Sequence, residues 1–416
     1  MKKTLLLSIV ASTMIMAGGD IAPVEPAVVT PAPVVESNWK FSGQGVVYYQ
    51  TDDSSLLTIS GNGTDDELFS QGASSANAGL QLTATNSDLI AGIGFGAQLN
   101  ALGTLGLEED VVSNIMQRGD SLNSAYVSQL YLTYGVGNTS LKVGRQELPK
   151  SLSPFAYSED WNVFTNTFNA ALLVNTDIQD TVLVGAWVRD NNVNGMAAAM
   201  NTFGSTNWDN GVFLLSAQNK SIADLTLTGS WYYGADFSNT LVPGTNEDLH
   251  ILWADAQYNA GFANIGLQGG AIMNDALADD TTAFGAMIGG KFDVVNLSAA
   301  YSHVNDSSLG MFQVGGSTSA LYTETALDQV SPVGTDLRND MDKFLVSANA
   351  DVLGGNLAGV YAYTDSGIVD SVNEVDVVYS TNITSNLVGV LAYVYADVDT
   401  LPDSVNLIRA VAKYNF

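Results

Sequence analysis

Imidazole chemistry in this chain is limited to His250 and His303, which lie far apart in sequence. No serine or carboxylate stands at a spacing that singles out a triad partner for either. Both histidines read better as residues at the ends of strands. Cysteine is absent, which removes thiolate catalysis, disulfide frameworks and cysteine metal sites together. The run "DNNVNG", Asp190 to Gly195, matches the front half of a calcium loop, but Asn201 occupies the twelfth position, where a bidentate glutamate is needed. The glycine run "GIGFGAQ", Gly92 to Gln98, lies inside an alternating segment and opens no helix, so it is not a phosphate cradle. No enzyme, resident cofactor or metal is expected from these patterns. What is abundant is negative charge: Asp and Glu number 43 against 14 Lys and Arg, a formal net charge of −29. Such a field repels nucleic acid and draws cations.

The elements that must position this charge announce themselves in order. "MKKTLLLSIVASTMIMA" has Lys2 and Lys3 ahead of an apolar run too short to span a bilayer, then small residues: a secretory signal over 1–17. Residues 18–37 carry Pro23, Pro26, Pro31 and Pro33, which spoil both helix and ladder and leave an extended periplasmic tail. From 38 to 416 the dominant signal has period two. In "SANAGLQLTA", Ala76, Ala78, Leu80, Leu82 and Ala84 share one face and Asn77, Gly79, Gln81 and Thr83 the other. "LIAGIGFGAQLN" and "DKFLVSANADV" repeat the pattern.

About eighteen such strands run from near 39–50 to near 404–416, and every second connection is tight, as at 87–88, 137–138 and Ala260. The intervening connections are mostly longer, the longest spanning 305–340. Short turns on one side and long loops on the other predict an all-β, antiparallel up-and-down transmembrane β-barrel, with short periplasmic turns, long outer loops and both ends at the periplasmic rim. Hydrocarbon offers backbone groups no partner, so strands can cross it only as a closed sheet. Tyr49, Tyr134, Trp231, Tyr233, Tyr361, Tyr363, Tyr379 and Phe416 would face outward as aromatic girdles. The expected location is the outer membrane of a Gram-negative bacterium, in contact with its lipids. The ending "AKYNF" puts Tyr414 and Phe416 on the oily face. It resembles the signal by which barrel-assembly machinery recognises its clients.

At residues 140–173, "SLKVGRQELPKSLSPFAYSEDWNVFTNTFNAALL", the chain resembles the OprD-type specific porins, the Opr family. The matching features are Gly144-Arg145-Gln146 at a strand end, a Pro-containing insert with Ser158, Glu159, Asp160 and Trp161, and Asn166-Thr167-Phe168 opening the next strand. The resemblance implies a constriction loop at about 148–165 that folds into the lumen, acidic loop residues opposed by basic wall residues, and a ladder of arginines. Glu159 and Asp160 would then face Arg145, Lys150 and Arg189 across the gap. Lys40, Arg145, Lys150, Arg189, Lys291, Lys343 and Arg409 are too few to fill such a ladder.

Alternation alone turns Gln44, Gln81, Gln98, Asp224, Thr226, Thr228, Asp255, Gln257, Lys291, Asn349, Asp351, Glu374 and Asp376 toward the lumen, a wall that keeps water in the pore. The expected function is a porin, a water-filled channel for passive diffusion of ions and small hydrophilic solutes, biased toward cations. A homotrimer is the assembly expected. The alternative is an outer-membrane adhesin or envelope scaffold that presents the 305–340 loop as its binding surface.

Overall fold

The computed structural model describes residues 38–54, 67–119, 123–238, 246–275, 279–307, 309–330, 340–367 and 370–416. The secretory signal, the proline-rich tail, and Asp65 and Asp66 lie outside the described residues. Eighteen strands build the barrel: β1 (Trp39–Asp52), β2 (Ser74–Ile90), β3 (Ile93–Gly103), β4 (Ser124–Val136), β5 (Thr139–Gln146), β6 (Phe168–Asn175), β7 (Thr181–Asn191), β8 (Val212–Asn219), β9 (Leu225–Ser238), β10 (Asn246–Asn259), β11 (Asn264–Asn274), β12 (Thr281–Phe292), β13 (Val295–Val304), β14 (Met341–Val352), β15 (Gly355–Ser366), β16 (Asp370–Asn382), β17 (Leu387–Val398) and β18 (Val405–Asn415). Each pairs antiparallel with its chain neighbour. β18 returns to β1, from Gln44↔Asn415 to Asp52↔Leu407, so the sheet closes without a free edge.

Side-chain alternation divides the two faces. Outward positions carry exposed apolar groups all round the wall, among them Leu80, Leu132, Leu215, Leu252, Leu267, Phe344 and Leu391. A belt of that extent is incompatible with water and suited to hydrocarbon. At the periplasmic end Trp39 stacks on Phe41 and meets Phe95 edge-on, and Tyr414 stacks on Phe416. At the outer end His250 stacks on Trp231, and His303 packs on Phe284 beside Tyr301 and Phe344. Both histidines are therefore members of aromatic girdles at strand ends.

Short turns join β2 to β3, β4 to β5 and every second pair thereafter, and the first expected turn shifts. β2 continues past 87–88 to Ile90, because the Asn86 side chain accepts the Asp88 amide at 2.9 Å and the register slips between Asn86 and Ile90. The turn falls at Ala91 and Gly92 instead, both left-handed. The 137–138 turn forms as expected, with Gly137 left-handed.

The seam has its own device. The Gly43 amide donates to the Phe416 carbonyl at 2.8 Å and the Phe416 amide to the Gly43 carbonyl at 3.0 Å. A Cβ on Gly43 would come within 2.3 Å of the Phe416 ring, so only glycine lets the last aromatic lie flat on β1. Gly43→Val is expected to destabilise the barrel by about 1–3 kcal/mol, the usual cost of overpacking. Gly45→Val, whose Cβ meets nothing nearby, is the matched control. The midpoint of heat-induced loss of the compact gel band should fall for Gly43→Val alone.

Candidate functional site

Eighteen strands enclose more space than wall side chains can fill. In the periplasmic half the inward face is polar and half-exposed: Gln44, Gln81, Thr83, Thr85, Gln129, Lys142, Gln218, Thr228, Asp255, Gln257, Asn349 and Lys413. Gly94 and Gly96 face inward too, and the Tyr131 ring lies across Gly96. Lys142 sits 3.9 Å over that ring. Gln129 and Thr165 both donate to the Glu147 carboxylate, at 2.9 and 2.8 Å.

Toward the outer end the lumen is occupied by connections that fold inward. The segment after β5 buries Phe155, Tyr157, Trp161, Val163 and Phe164 against the wall, and the segment after β13 buries Met311, Leu321 and Leu327. Side chains of the 148–165 segment thus pack on inward-facing wall residues. The 305–340 connection, read as an outward binding surface in the adhesin alternative, also turns inward over its described residues 309–330. Residues 326–330 of this described stretch form a short helix, α1 (Ala326–Val330), lodged among Val372, Val394, Ala396, Val398, Val405 and Leu407.

Glu159 ties the two insertions together. Its carboxylate accepts from Trp161 Nε1 at 2.8 Å, Gln313 Nε2 at 2.7 Å, the Thr318 amide at 3.0 Å, and the Thr318 hydroxyl. The space is filled up to Gly316, where any Cβ would collide with that carboxylate. Asn192 and Asn194, from the rejected calcium motif, are clamps: Asn192 accepts the Thr167 amide at 2.6 Å, and Asn194 donates to the Glu159 carbonyl at 3.2 Å. Among the described residues no group of three or more acidic or histidine side chains could hold a metal.

The charged residues singled out by sequence are not all brought together. Asp160 is half-exposed, and its charge is felt by Lys413 on β18, alongside that of Arg409. Lys150 stands 5.0 Å over the Tyr157 ring near Glu159 and Glu324; burial pulls its amine down from the ordinary value, against the upward pull of those two acids. Arg145 alternates with Leu141 and Val143 onto the outward face, 3.6 Å over the Phe203 ring, and donates to Asn169 Oδ1 at 3.1 Å and to the Val127 carbonyl at 2.7 Å. Arg189, where the β6–β7 register shifts, is half-exposed and only 3.9 Å from its neighbour Asp190. Lys142, Lys343, Arg409 and Lys413 lie on the inward face instead, and Lys291, in register through Asn296 with the inward Asn349, shares that face.

Arg409 is 3% exposed, second in enclosure to Lys343 at 1%. It donates to Gln50 Oε1 at 3.1 Å and to Gln329 Oε1 at 3.3 Å, and lies near the rings of Tyr48 and Trp161. Its Nη2 and the Gln329 Nε2 are buried donors with no partner among the described residues.

No protein-family model and no curated protein matches this sequence. Solved structures do. OccK8 (OprE) of Pseudomonas aeruginosa superposes with a TM-score of 0.67 at 16% identity, over 91% of this chain and 98% of that one. OpdK of Pseudomonas aeruginosa, solved with vanillate, gives a TM-score of 0.68 at 13% identity over 90% and 98%. OccK2 (OpdF) of the same organism, in complex with glucuronate, gives 0.65 at 14% over 91% and 98%. The closed eighteen-strand barrel of this chain is the fold of those porins.

Replacing Glu159 by Ala should orphan the Trp161, Gln313 and Thr318 donors, at about 1–3 kcal/mol each before relaxation. Proteolysis of the folded barrel within 148–165 or 309–330 is the measurement. Cleavage should be faster in Glu159→Ala and close to wild type in Arg145→Ala.

Proposed function

We propose that this chain is an outer-membrane porin, a passive channel through which ions and small hydrophilic solutes follow their own gradients. The observation that carries the reading is a closed barrel that is apolar outside, with a polar inner wall leading to an inserted pair of loops. Polar wall groups let a solute exchange hydration for side-chain partners one step at a time, without a deep trap. Tyr414 and Phe416, on the outward face at the seam, supply the pattern for barrel-assembly machinery.

Two electrostatic scales act on a solute. The net charge of −29 raises the cation concentration at the mouth and biases ion flow toward cations. Locally, Asp160 stands against Lys413, which also feels Arg409, a transverse field that orients zwitterions and dipolar solutes. The vacant donors of Arg409 and Gln329 match one carboxylate, the group shared by the vanillate and glucuronate bound to the two neighbouring folds. Small carboxylates with a polar or aromatic body are therefore the solute class proposed, with the Tyr48 and Trp161 rings beside the guanidinium.

Purified barrel added to planar bilayers should give stepwise conductance, and its absence in repeated preparations rejects the reading. Under a salt gradient the reversal potential should have the sign of cation preference. Asp160→Asn should move it toward anions, and Arg145→Ala, outside the lumen, should leave it in place. Arg409→Gln should weaken block by added vanillate severalfold.

A further inference from the structure

The anchoring of α1 on the wall uses carboxylates in an unusual way. The Ala326 amide donates to Asp376 Oδ2 at 3.2 Å and the Leu327 amide to Glu374 Oε1 at 2.8 Å. Glu374 and Asp376 point the same way from β16, at 1% and 3% exposure. Their remaining oxygens, Glu374 Oε2 and Asp376 Oδ1, have no hydrogen-bond partner among the described residues, although the Thr325 hydroxyl lies close to Glu374, and the two carboxyl groups stand side by side on the inward face of the strand. Two buried carboxylates in contact cannot both stay ionised without a strong counter-charge. The one lysine facing them, Lys343, is already committed: its ammonium donates to Asp328 at 2.6 Å and to the Thr325 hydroxyl at 3.0 Å. Asp328, on α1, adds a further negative charge, and Glu324 approaches from the same connection. Arg409 reaches α1 only through Gln329. The arrangement therefore fits one proton held between Glu374 Oε2 and Asp376 Oδ1, leaving the outer oxygens free to accept the two amides.

We propose that this shared proton is the pin of a latch: while it is present α1 stays on the wall and residues 309–330 narrow the lumen, and when it leaves α1 is released and the passage widens. The widening rests on the channel reading above; the latch itself does not. Release exposes both carboxylates to water, where neither holds a proton above the ordinary carboxylate range, so undocking is coupled to loss of the one shared proton. The docked state is thus favoured at low pH and loses ground as pH rises. Glu324 acts in the same sense. Burial and the nearby Asp328 push its carboxyl up to about 8, so the stability it lends to docking is complete below its ordinary range and is lost as pH climbs toward that value.

The chain has no cysteine, so Leu327→Cys, at a fully buried position, places a single thiol under the latch. Its rate of modification by a water-soluble methanethiosulfonate reagent, on barrel folded in phosphatidylcholine vesicles, reports release. The same variant carrying Glu374→Gln is the reference: its amide N–H donates permanently to Asp376, replacing the proton, while its carbonyl keeps the Leu327 bond. Dividing the two rates cancels the thiol's own ionisation and the Glu324 contribution. Between pH 5 and 9 the ratio should rise by up to tenfold per unit, the limit for one proton lost on release. A ratio flat with pH overturns the latch. Conductance recorded alongside should rise with pH in the wild type and less in Glu374→Gln; missing conductance with a rising ratio keeps the latch and rejects the channel.

Discussion

Closure of the backbone hydrogen-bond ladder is the constraint on which everything else in this molecule rests. An amide or carbonyl left unpaired in hydrocarbon costs several kcal/mol, so the first and last strands must find each other. They do so through nine register pairs, from Gln44↔Asn415 to Asp52↔Leu407, capped by the reciprocal Gly43–Phe416 bonds. Once the cylinder is closed, the pleat assigns every side chain to lipid or lumen with no freedom left. Leu215 and Leu252 meet lipid because Leu214 and Ile251 face in. A cylinder of this girth also creates a second problem, a lumen wider than its wall can fill, and the inserted connections are the answer to it.

That assignment explains what could be read without coordinates. Period-two alternation placed the first strand near 39–50 and the last near 404–416, within about two residues of the observed Trp39–Asp52 and Val405–Asn415. The seam at Phe416 followed from the same alternation. Sequence failed where a residue acts outside the pleat. The Asn86–Asp88 contact bends β2 past its expected turn. Arg145 obeys its alternation with Leu141 and Val143 and faces out, although the resemblance to a porin motif assigns it to the constriction. The inward course of 309–330 leaves no periodic trace, since its contacts are set by where Glu159, Glu374 and Asp376 meet it in space. Lys413 and Lys142 could have been found: Lys142 alternates with Ser140 and Gly144, and Lys413 shares its face with Arg409 and Asn415 while Tyr414 and Phe416 take the other.

The way charge is used inside the barrel follows from scarcity of cations. With 43 acids and 14 bases, most buried carboxylates cannot be paired with lysine or arginine. Glu159 is held by indole, amide and hydroxyl donors, Asp376 by a backbone amide, and Glu324 by the Ser319 amide and hydroxyl at 2.6 and 2.8 Å. Asp328 alone among them gains an ammonium, from Lys343. Neutral donors satisfy a carboxylate's geometry but not its charge, so burying such a group is tolerable only while the local count of negative charges stays low.

This sets which solution variable can reach the loops. Salt screens exposed charges over a Debye length of about 8–10 Å, so it acts on the acidic mouth and on Asp160 facing Lys413. It has little hold on groups at 1–3% exposure that are fixed by short hydrogen bonds, such as Glu374, Asp328 and Asp376. Protons differ, because they change the charge itself rather than its range. A lumen built from a few lysines and many hydrogen-bonded acids therefore separates two controls: ionic strength tunes which ions gather at the entrance, and pH tunes how firmly the inner connections stay docked. A wall carrying paired arginines in place of Glu374 and Asp376 would lose the second control, since guanidinium groups do not titrate in the range where carboxylates do.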